Sequence, residues 1–267
     1  RYRVIAKGLD AISGSGPILF MPNHPALIDP ILVYSQIASF APRPLADERQ
    51  MQGPMGRLAA KALHAVLIPD IMKDGANARM GVEAGMQKVL DSLQSGDNVL
   101  LYPAGKIYRS ARENLGGTSG AALILQKMPD LRVVLVRTTG LWGSAFGYGA
   151  TGKAPNFGKV LLRGALAVCA NLLLFTPRRP VTVEFVEAAD MPRCGDKRVL
   201  NTWLETFYNV AERPALAIPR YFWQGSEPRE LPPVVHGRKQ ESADIPAEVR
   251  NAVYASLREA SGLPTVH

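Results

Sequence analysis

The feature of this sequence that most limits its fold is an alternation between short apolar runs and longer stretches of helical periodicity. Apolar runs, most of them rich in β-branched residues, predict buried strands at residues 17–21, 66–69, 98–102, 133–138 and 181–187. Between them, apolar residues at helical spacing predict helices at 26–38, 52–64, 78–94, 118–128 and 197–212. Strands that alternate with helices favour an α/β fold, in which helices flank a mixed, mostly parallel sheet.

The distribution of prolines and polar residues divides the chain into a large domain and an appendage. The domain is expected to cover residues 1–223, because prolines become frequent after the helix predicted at 197–212. Residues 224–245 are polar and charged and predict a linker. Residues 246–267 predict a final helix, which either docks on the domain or begins a further module. The chain starts at Arg1 and has no signal peptide, so we expect a piece of a longer protein.

Composition limits the partners and the cellular setting. The formal charge of +8 and the pI near 9.6 predict a polyanionic partner. The sequence has no arginine-rich recognition helix, zinc-ligand spacing or aromatic ribonucleoprotein motif, which favours an anionic membrane over nucleic acid. Two cysteines, Cys169 and Cys194, form neither a disulfide framework nor a metal site, and this indicates a reducing, cytosolic setting.

The longest apolar run, residues 160–175, predicts contact with a membrane surface. Arg163 and Asn171 interrupt it, and it is shorter than the ~20 residues that span a bilayer. The cations in and around it are Lys153, Lys159, Arg163, Arg178 and Arg179. We therefore expect a peripheral protein at the cytoplasmic face of a membrane, with leucines dipping into the interface. The alternative is a buried core helix with a basic rim.

A histidine and an aspartate five positions apart predict a catalytic pair. His24 follows the first apolar run, Pro22 and Pro25 prevent that strand from continuing, and Asp29 enters the next helix. Such a carboxylate can fold back on the imidazole, fix its tautomer and stabilise the imidazolium of a general base. The positive helix N-terminus is expected to keep His24 neutral at rest. The alternative is that Asp29 only caps the helix.

A second candidate element is the turn at residues 102–106, directly after a buried strand. Its backbone amides and the nearby cations could hold an anionic head group or an oxyanion. The candidate substrate-binding residues here are Tyr102, Pro103, Ala104, Gly105, Lys106 and Arg109. The alternative is an ordinary proline–glycine turn with solvated cations.

These blocks, in this order, resemble the glycerophospholipid (1-acylglycerol-3-phosphate-type) acyltransferases. Asn23 and the His24-x4-Asp29 spacing match the first motif of that family, residues 100–106 stand where Phe-Pro-Glu-Gly is usual, and residues 133–136 stand at its late apolar strand. Residues 140–144 and 175–185 look like the branch fused to acyl-activating enzymes, the 2-acylglycerophosphoethanolamine acyltransferase/acyl-ACP synthetase fusions. The resemblance covers residues 1 to 215.

The resemblance implies both a glycerol-3-phosphate acyltransferase-like fold and a reaction. His24, oriented by Asp29, would remove a proton from a hydroxyl of a lysophospholipid or glycerophosphate, which attacks the thioester of acyl-CoA or acyl-ACP. Asn23 would contact substrate. The resemblance implies no metal or redox cofactor.

The chain departs from the family pattern at two positions. Ala104 replaces the usual Glu, and the arginine expected just after the strand at 66–69 is missing. Lys73 and Arg79 are the cations available to take its place, although a lysine cannot clamp two phosphate oxygens as arginine does. These departures leave two alternatives open: a catalytically degenerate module that binds lipid or docks a carrier, and an esterase that uses water at the same base.

Overall fold

The computed structural model describes residues 1–13, 16–48, 53–68, 77–193, 196–210, 214–225 and 227–232. Lys73, most of the predicted linker at 224–245 and the predicted helix at 246–267 lie outside these ranges, as does the side chain of Arg79. The assignments made for them stay predictions.

Seven strands form one sheet in the order β1-β7-β6-β2-β5-β3-β4. The strands are β1 Tyr2–Lys7, β2 Ile18–Pro22, β3 Arg43–Asp47, β4 Val66–Ile68, β5 Val99–Leu100, β6 Arg132–Thr139 and β7 Arg179–Glu187. The strands β6, β2, β5, β3 and β4 are parallel to one another. Strand β7 is antiparallel to β6, and the edge strand β1 is parallel to β7. The prediction of a mixed, mostly parallel sheet is confirmed.

Six helices are described beside this sheet. They are α1 Asp29–Ile37, α2 Pro54–Ala62, α3 Asn77–Gln94, α4 Gly120–Lys127, α5 Phe157–Ala170 and α6 Lys197–Tyr208. A small antiparallel pair, β8 Leu216–Ala217 and β9 Arg229–Glu230, follows the main sheet. The predicted linker, residues 224–245, therefore contains a strand, β9, that pairs with β8 of the domain.

The core lies on both faces of the sheet, and β2 contributes to both because successive side chains of a strand alternate. Leu19 and Met21 pack with α3, α4 and α6, while Ile18 and Phe20 pack with Val33 and Ile37 of α1. A strand buried on both sides must be apolar throughout, which is why residues 17–21 read as a continuous run.

The five predicted strands and the five helices predicted between residues 26 and 212 are present with shifted ends, but β1 and β3 were not predicted. β1 is an edge strand whose residues are mostly exposed, and β3 contains a proline and begins and ends with charged residues. β1 pairs with β7, and β3 pairs with β4 and β5, and all these partners are distant in sequence. No apolar run marks them, because long-range pairing rather than local burial stabilises them.

Candidate active site

The site lies where β2, β5 and β6 end. These three strands are adjacent and parallel, so their carboxyl ends meet at one edge of the sheet. His24 follows β2, Tyr102 follows β5, and Thr138 lies near the end of β6. In open α/β sheets this edge is where ligands bind.

His24 and Asp29 form the expected pair. The His24 imidazole Nδ1 lies 2.9 Å from Asp29 Oδ2. Asp29 is fully buried at the first turn of α1, and 14% of the His24 side chain is exposed. The same Asp29 oxygen accepts a longer hydrogen bond, 3.4 Å, from the backbone amide of Ala26. Asp29 therefore orients the imidazole and also stabilises the turn before the helix, so the two interpretations of this residue are compatible.

The main chain of His24 is held on both sides by the segment that follows β5. Its carbonyl accepts a hydrogen bond of 2.9 Å from the Tyr108 backbone amide. Its own N–H donates to a carboxylate oxygen of Glu113 at 2.8 Å. Glu113 is buried, and the side chain of Asn209 bonds both its backbone N–H and its carbonyl. The sequence interpretation missed Glu113, because a single acid in a polar loop carries no pattern.

Tyr102 lies against the catalytic pair. Its ring centroid is 4.5 Å from that of His24, with the ring planes 41° apart. Neither its hydroxyl nor Asp29 Oδ1 makes a well-formed hydrogen bond to any described residue, although both atoms are buried. Burial raises the pKa of the Tyr102 phenol well above its usual value, and the nearby Asp29 carboxylate raises it further. Tyr102 therefore presents a neutral hydroxyl beside the pair.

The carboxylates around His24 raise the pKa of its imidazole. Burial alone would lower the pKa of the imidazole, but the hydrogen bond and charge of Asp29, with the charge of Glu113, outweigh it and raise the pKa overall. The expectation that the helix N-terminus helps to keep His24 neutral stays a prediction, and the charges of Asp29 and Glu113 act against it. Burial raises the pKa of Glu113 to about 7, even though hydrogen bonds from the His24 and Asn114 amides and the charge of His24 act in the opposite direction.

Asn23 connects the end of β2 to its surroundings. Its side-chain amide donates to the Tyr108 hydroxyl at 2.6 Å and to the Thr138 carbonyl at 3.0 Å, and its Oδ1 accepts from the Thr138 amide at 2.7 Å. Both amide protons are thus bound by the protein. In this structure Asn23 positions the loop that carries His24, and its contact with substrate stays a prediction.

The turn at 102–106 has a buried side and an exposed side. The Gly105 amide donates to the Tyr102 carbonyl, and Gly105 has a φ of +62°, which favours glycine. Pro103 is buried, and Ala104 packs into the larger apolar core with Leu115. Lys106 and Arg109 are exposed, and the Arg109 guanidinium lies 5.9 Å from the centroid of the Tyr148 ring. Whether these two cations bind substrate stays a prediction.

A cleft opens beside the pair on the β6 side. It encloses about 460 Å³, including its open mouth. Asn23 and Pro25, the neighbours of His24 on either side, form part of its wall. Its other lining residues are Tyr108, Ala111, Arg112, Thr138, Thr139, Gly140, Leu141, Trp142, Tyr208 and Asn209. The buried Thr138 hydroxyl has no hydrogen-bond partner among the described residues, and Arg112 adds a cation that the sequence interpretation did not single out.

Comparison with known proteins places this chain in a family. The sequence model of the acyltransferase family matches residues 3–138, half of the chain, and these residues include the His24–Asp29 pair, the 102–106 turn and Glu113. The chain belongs to the acyltransferase family.

A solved structure with a similar fold is the crystal structure of the 1-acyl-sn-glycerophosphate (LPA) acyltransferase, PlsC, from Thermotoga maritima. The TM-score is 0.51 at 14% sequence identity, over 78% of this chain and 70% of that chain. The fold is thus confirmed as that of a known acyltransferase. No curated protein matches the sequence. The resemblance to the branch fused to acyl-activating enzymes stays a prediction.

Proposed function

We propose that this protein transfers a fatty acyl group from an acyl thioester, acyl-CoA or acyl-ACP, to a hydroxyl of a lysophospholipid or glycerophosphate in phospholipid biosynthesis. The observation that carries the proposal is the 2.9 Å contact between His24 Nδ1 and the buried Asp29 carboxylate. With its Nδ1 proton donated to Asp29, the imidazole has its lone pair on Nε2. That is the tautomer a general base requires.

The reaction proposed is a direct transfer. His24 removes the proton of the acceptor hydroxyl as that oxygen attacks the thioester carbonyl. Asp29 and Glu113 stabilise the imidazolium that forms. When the tetrahedral oxyanion collapses, the carbon–sulfur bond breaks and the imidazolium returns the proton to the departing thiolate. The products are the acylated lipid and the free thiol, and His24 is restored.

The cations around the site support an acceptor with an anionic head group. Lys106 and Arg109 are exposed on the loop after β5, and Arg112 lines the cleft next to Asn23 and Pro25. Arginine can bind two phosphate oxygens at once. We assign these residues, with Lys73 and Arg79 as candidates outside the described side chains, to head-group binding.

The proposed location is the cytoplasmic face of a membrane, where a lysophospholipid resides. Over the described part of the chain, none of the helices combines the length and apolar character needed to cross a bilayer. The excess of basic residues over the whole chain is consistent with attraction to anionic lipid.

The proposal is tested by incubating the protein with labelled acyl-CoA or acyl-ACP and a panel of lysophospholipids and glycerol 3-phosphate. We expect labelled acyl lipid from the parent and none above background from His24→Ala. Release of labelled fatty acid that does not depend on acceptor would identify an esterase instead. If neither product forms while lipid or carrier protein still binds, the chain is a degenerate binding module.

A further inference from the structure

Helix α5 exposes apolar side chains that a core helix would bury. All fourteen of its residues are described, and Ala167 alone is buried. Leu161, Leu162 and Leu166 are 54%, 63% and 62% exposed. The alternative of a buried core helix at 160–175 is therefore wrong.

The turn that follows α5 is both apolar and strained. Leu172 to Phe175 are all exposed, and Leu174 reaches 76%. Leu172 and Leu173 have φ angles of +50° and +63°, a left-handed conformation that residues with bulky side chains rarely adopt. Neither the strain nor the exposure stabilises the folded chain. Strain that the surrounding structure maintains commonly marks a functional segment.

The buried Asn171 holds this turn in place and joins it to a second apolar turn. Its side-chain amide donates to the carbonyls of Ala167 and Arg220, and its Oδ1 accepts from the Phe222 amide at 2.8 Å. The ring centroids of Phe175 and Phe222 are 5.5 Å apart, and Phe222 and Trp223 are exposed. We call the combined surface of α5, residues 172–175 and residues 221–223 the apolar ridge.

The chain segments that form the apolar ridge carry charges of one sign. No Asp or Glu occurs between residues 131 and 183 or between 214 and 226. Exposed cations in and beside the ridge are Lys153, Lys159, Arg163, Arg178 and Arg220. The guanidinium of Arg1 donates to the carbonyls of Leu173 and Leu174. A second copy of the chain would bring two basic rims together, whereas an anionic lipid surface complements them.

We propose that the apolar ridge is a preformed insertion surface for an anionic lipid bilayer, with the leucine turn as its tip. The inference deepens the proposed function, on which it rests only for the delivery of a lipid acceptor from the bilayer to His24. Ordering the turn before it meets the membrane lowers the entropic cost of insertion. Leucine and aromatic side chains then enter the interface while the cations contact lipid phosphates.

The test uses the double variant Leu172→Asn plus Leu173→Asn in the full chain. Asparagine tolerates the left-handed conformation better than leucine, so the fold should be retained and the melting temperature equal to or above that of the parent. Binding is measured by co-sedimentation with vesicles of phosphatidylcholine or of an equal mixture of phosphatidylcholine and phosphatidylglycerol. The matched control, Leu58→Gln plus Leu123→Gln, removes two exposed leucines of α2 and α4, outside the ridge.

We expect the parent and the control to bind the mixed vesicles, with binding weakened but not abolished by high salt. The ridge variant should bind at least about tenfold more weakly. A parent that ignores the mixed vesicles, or a folded ridge variant that binds like the parent, would overturn the inference. A parent that dimerises through the ridge and ignores vesicles would overturn it in favour of a second copy. The vesicle assay contains no acyl donor or acceptor, so its outcome is independent of the acyl-transfer assay. A protein that binds vesicles but forms no acyl lipid in the acyl-transfer assay would refute the proposed function and leave this inference intact.

Discussion

The backbone N–H of His24 donates a hydrogen bond of 2.8 Å to Glu113, a residue 89 positions away. This contact brings in a second carboxylate, whose charge raises the pKa of the imidazole together with that of Asp29. In the glycerophospholipid acyltransferases that this chain resembles, a glutamate usually stands at the position of Ala104. Here Ala104 packs into the apolar core. In this chain a carboxylate reaches the histidine from further along the same loop.

The His24–Asp29 pair predicts a graded loss of activity. His24→Ala should lower kcat by roughly 10²–10⁴-fold, since it removes the base. Asp29→Asn should retain weak activity, because the amide keeps a hydrogen bond but supplies no charge for the imidazolium. Steady-state kinetics measure both, with circular dichroism to verify the fold. Full turnover in a folded His24→Ala protein would rule out the proposed mechanism.

Replacing Glu113 by glutamine should change the pH profile of acyl transfer. The amide still accepts the hydrogen bond of the His24 amide, but the negative charge that raises the pKa of His24 is lost. We expect the acid limb of kcat/KM to move to lower pH and kcat at the plateau to fall about tenfold.

The matched control for this variant is Glu205→Gln. Glu205 also accepts a backbone hydrogen bond from this loop, from Leu115 at 2.6 Å, but it is not among the groups that act on His24. Its variant should keep the parent's pH profile. Titration of the His24 imidazole by NMR gives the same comparison without any substrate. An unchanged imidazole titration in Glu113→Gln would show that Glu113 has only a structural role.

Glu113 also predicts how stability varies with pH. Its pKa rises from 4.5 in the unfolded chain to about 7 in the folded protein, so the folded state binds more protons between these values. Stability is therefore greatest below the lower value and declines as pH increases through the higher one, by about 3 kcal/mol. The raised pKa of His24 acts in the same direction.

Denaturant unfolding of the parent and of Glu113→Gln across this pH range measures the effect. The variant should lose less stability than the parent as pH increases, with a remaining slope from His24. If the free energy of unfolding changed equally with pH in the two proteins, Glu113 would ionise as freely in the folded state as in the unfolded chain.

Introducing the family carboxylate at residue 104 should damage this protein. Ala104 is 5% exposed and contacts apolar neighbours, so Ala104→Glu would bury a charge without a partner. We expect the free energy of unfolding to fall by about 3 kcal/mol or more, with a loss of activity. Ala84→Glu, at an exposed position of α3, is the control for an added charge. A gain of activity in Ala104→Glu would show that the missing carboxylate limits catalysis.

Neutralising Lys106 and Arg109 should weaken acceptor binding selectively. Lys106→Gln plus Arg109→Gln should raise the KM of an anionic acceptor about tenfold and that of an uncharged acceptor much less, because charge-assisted hydrogen bonds to the head group are lost. Kinetics with a matched pair of lysolipids measure the difference. Equal effects on both acceptors would identify the segment as a structural turn with solvated cations.

The parts of this protein that the sequence alone determined are those set by neighbours along the chain. The continuous apolar run at 17–21 predicts β2, because a strand covered on both faces must be apolar at each position. His24 and Asp29 are five residues apart across a strand-to-helix junction, so local geometry alone brings their side chains together. Residues 78–94 show a helical period over almost the whole of α3, Asn77–Gln94.

Tertiary structure decided what depends on residues far apart in sequence. β1 has no apolar run of its own and exists because it pairs with β7. Glu113 carries no pattern, and only the folded chain places its carboxylate against the His24 amide and raises its pKa by burial. The apolar run at residues 160–175 has the same pattern whether it is core or surface, because periodicity reports which side chains share a face and not what covers that face. Here the described structure leaves the leucines of α5 exposed, since burial is a property of the packed chain.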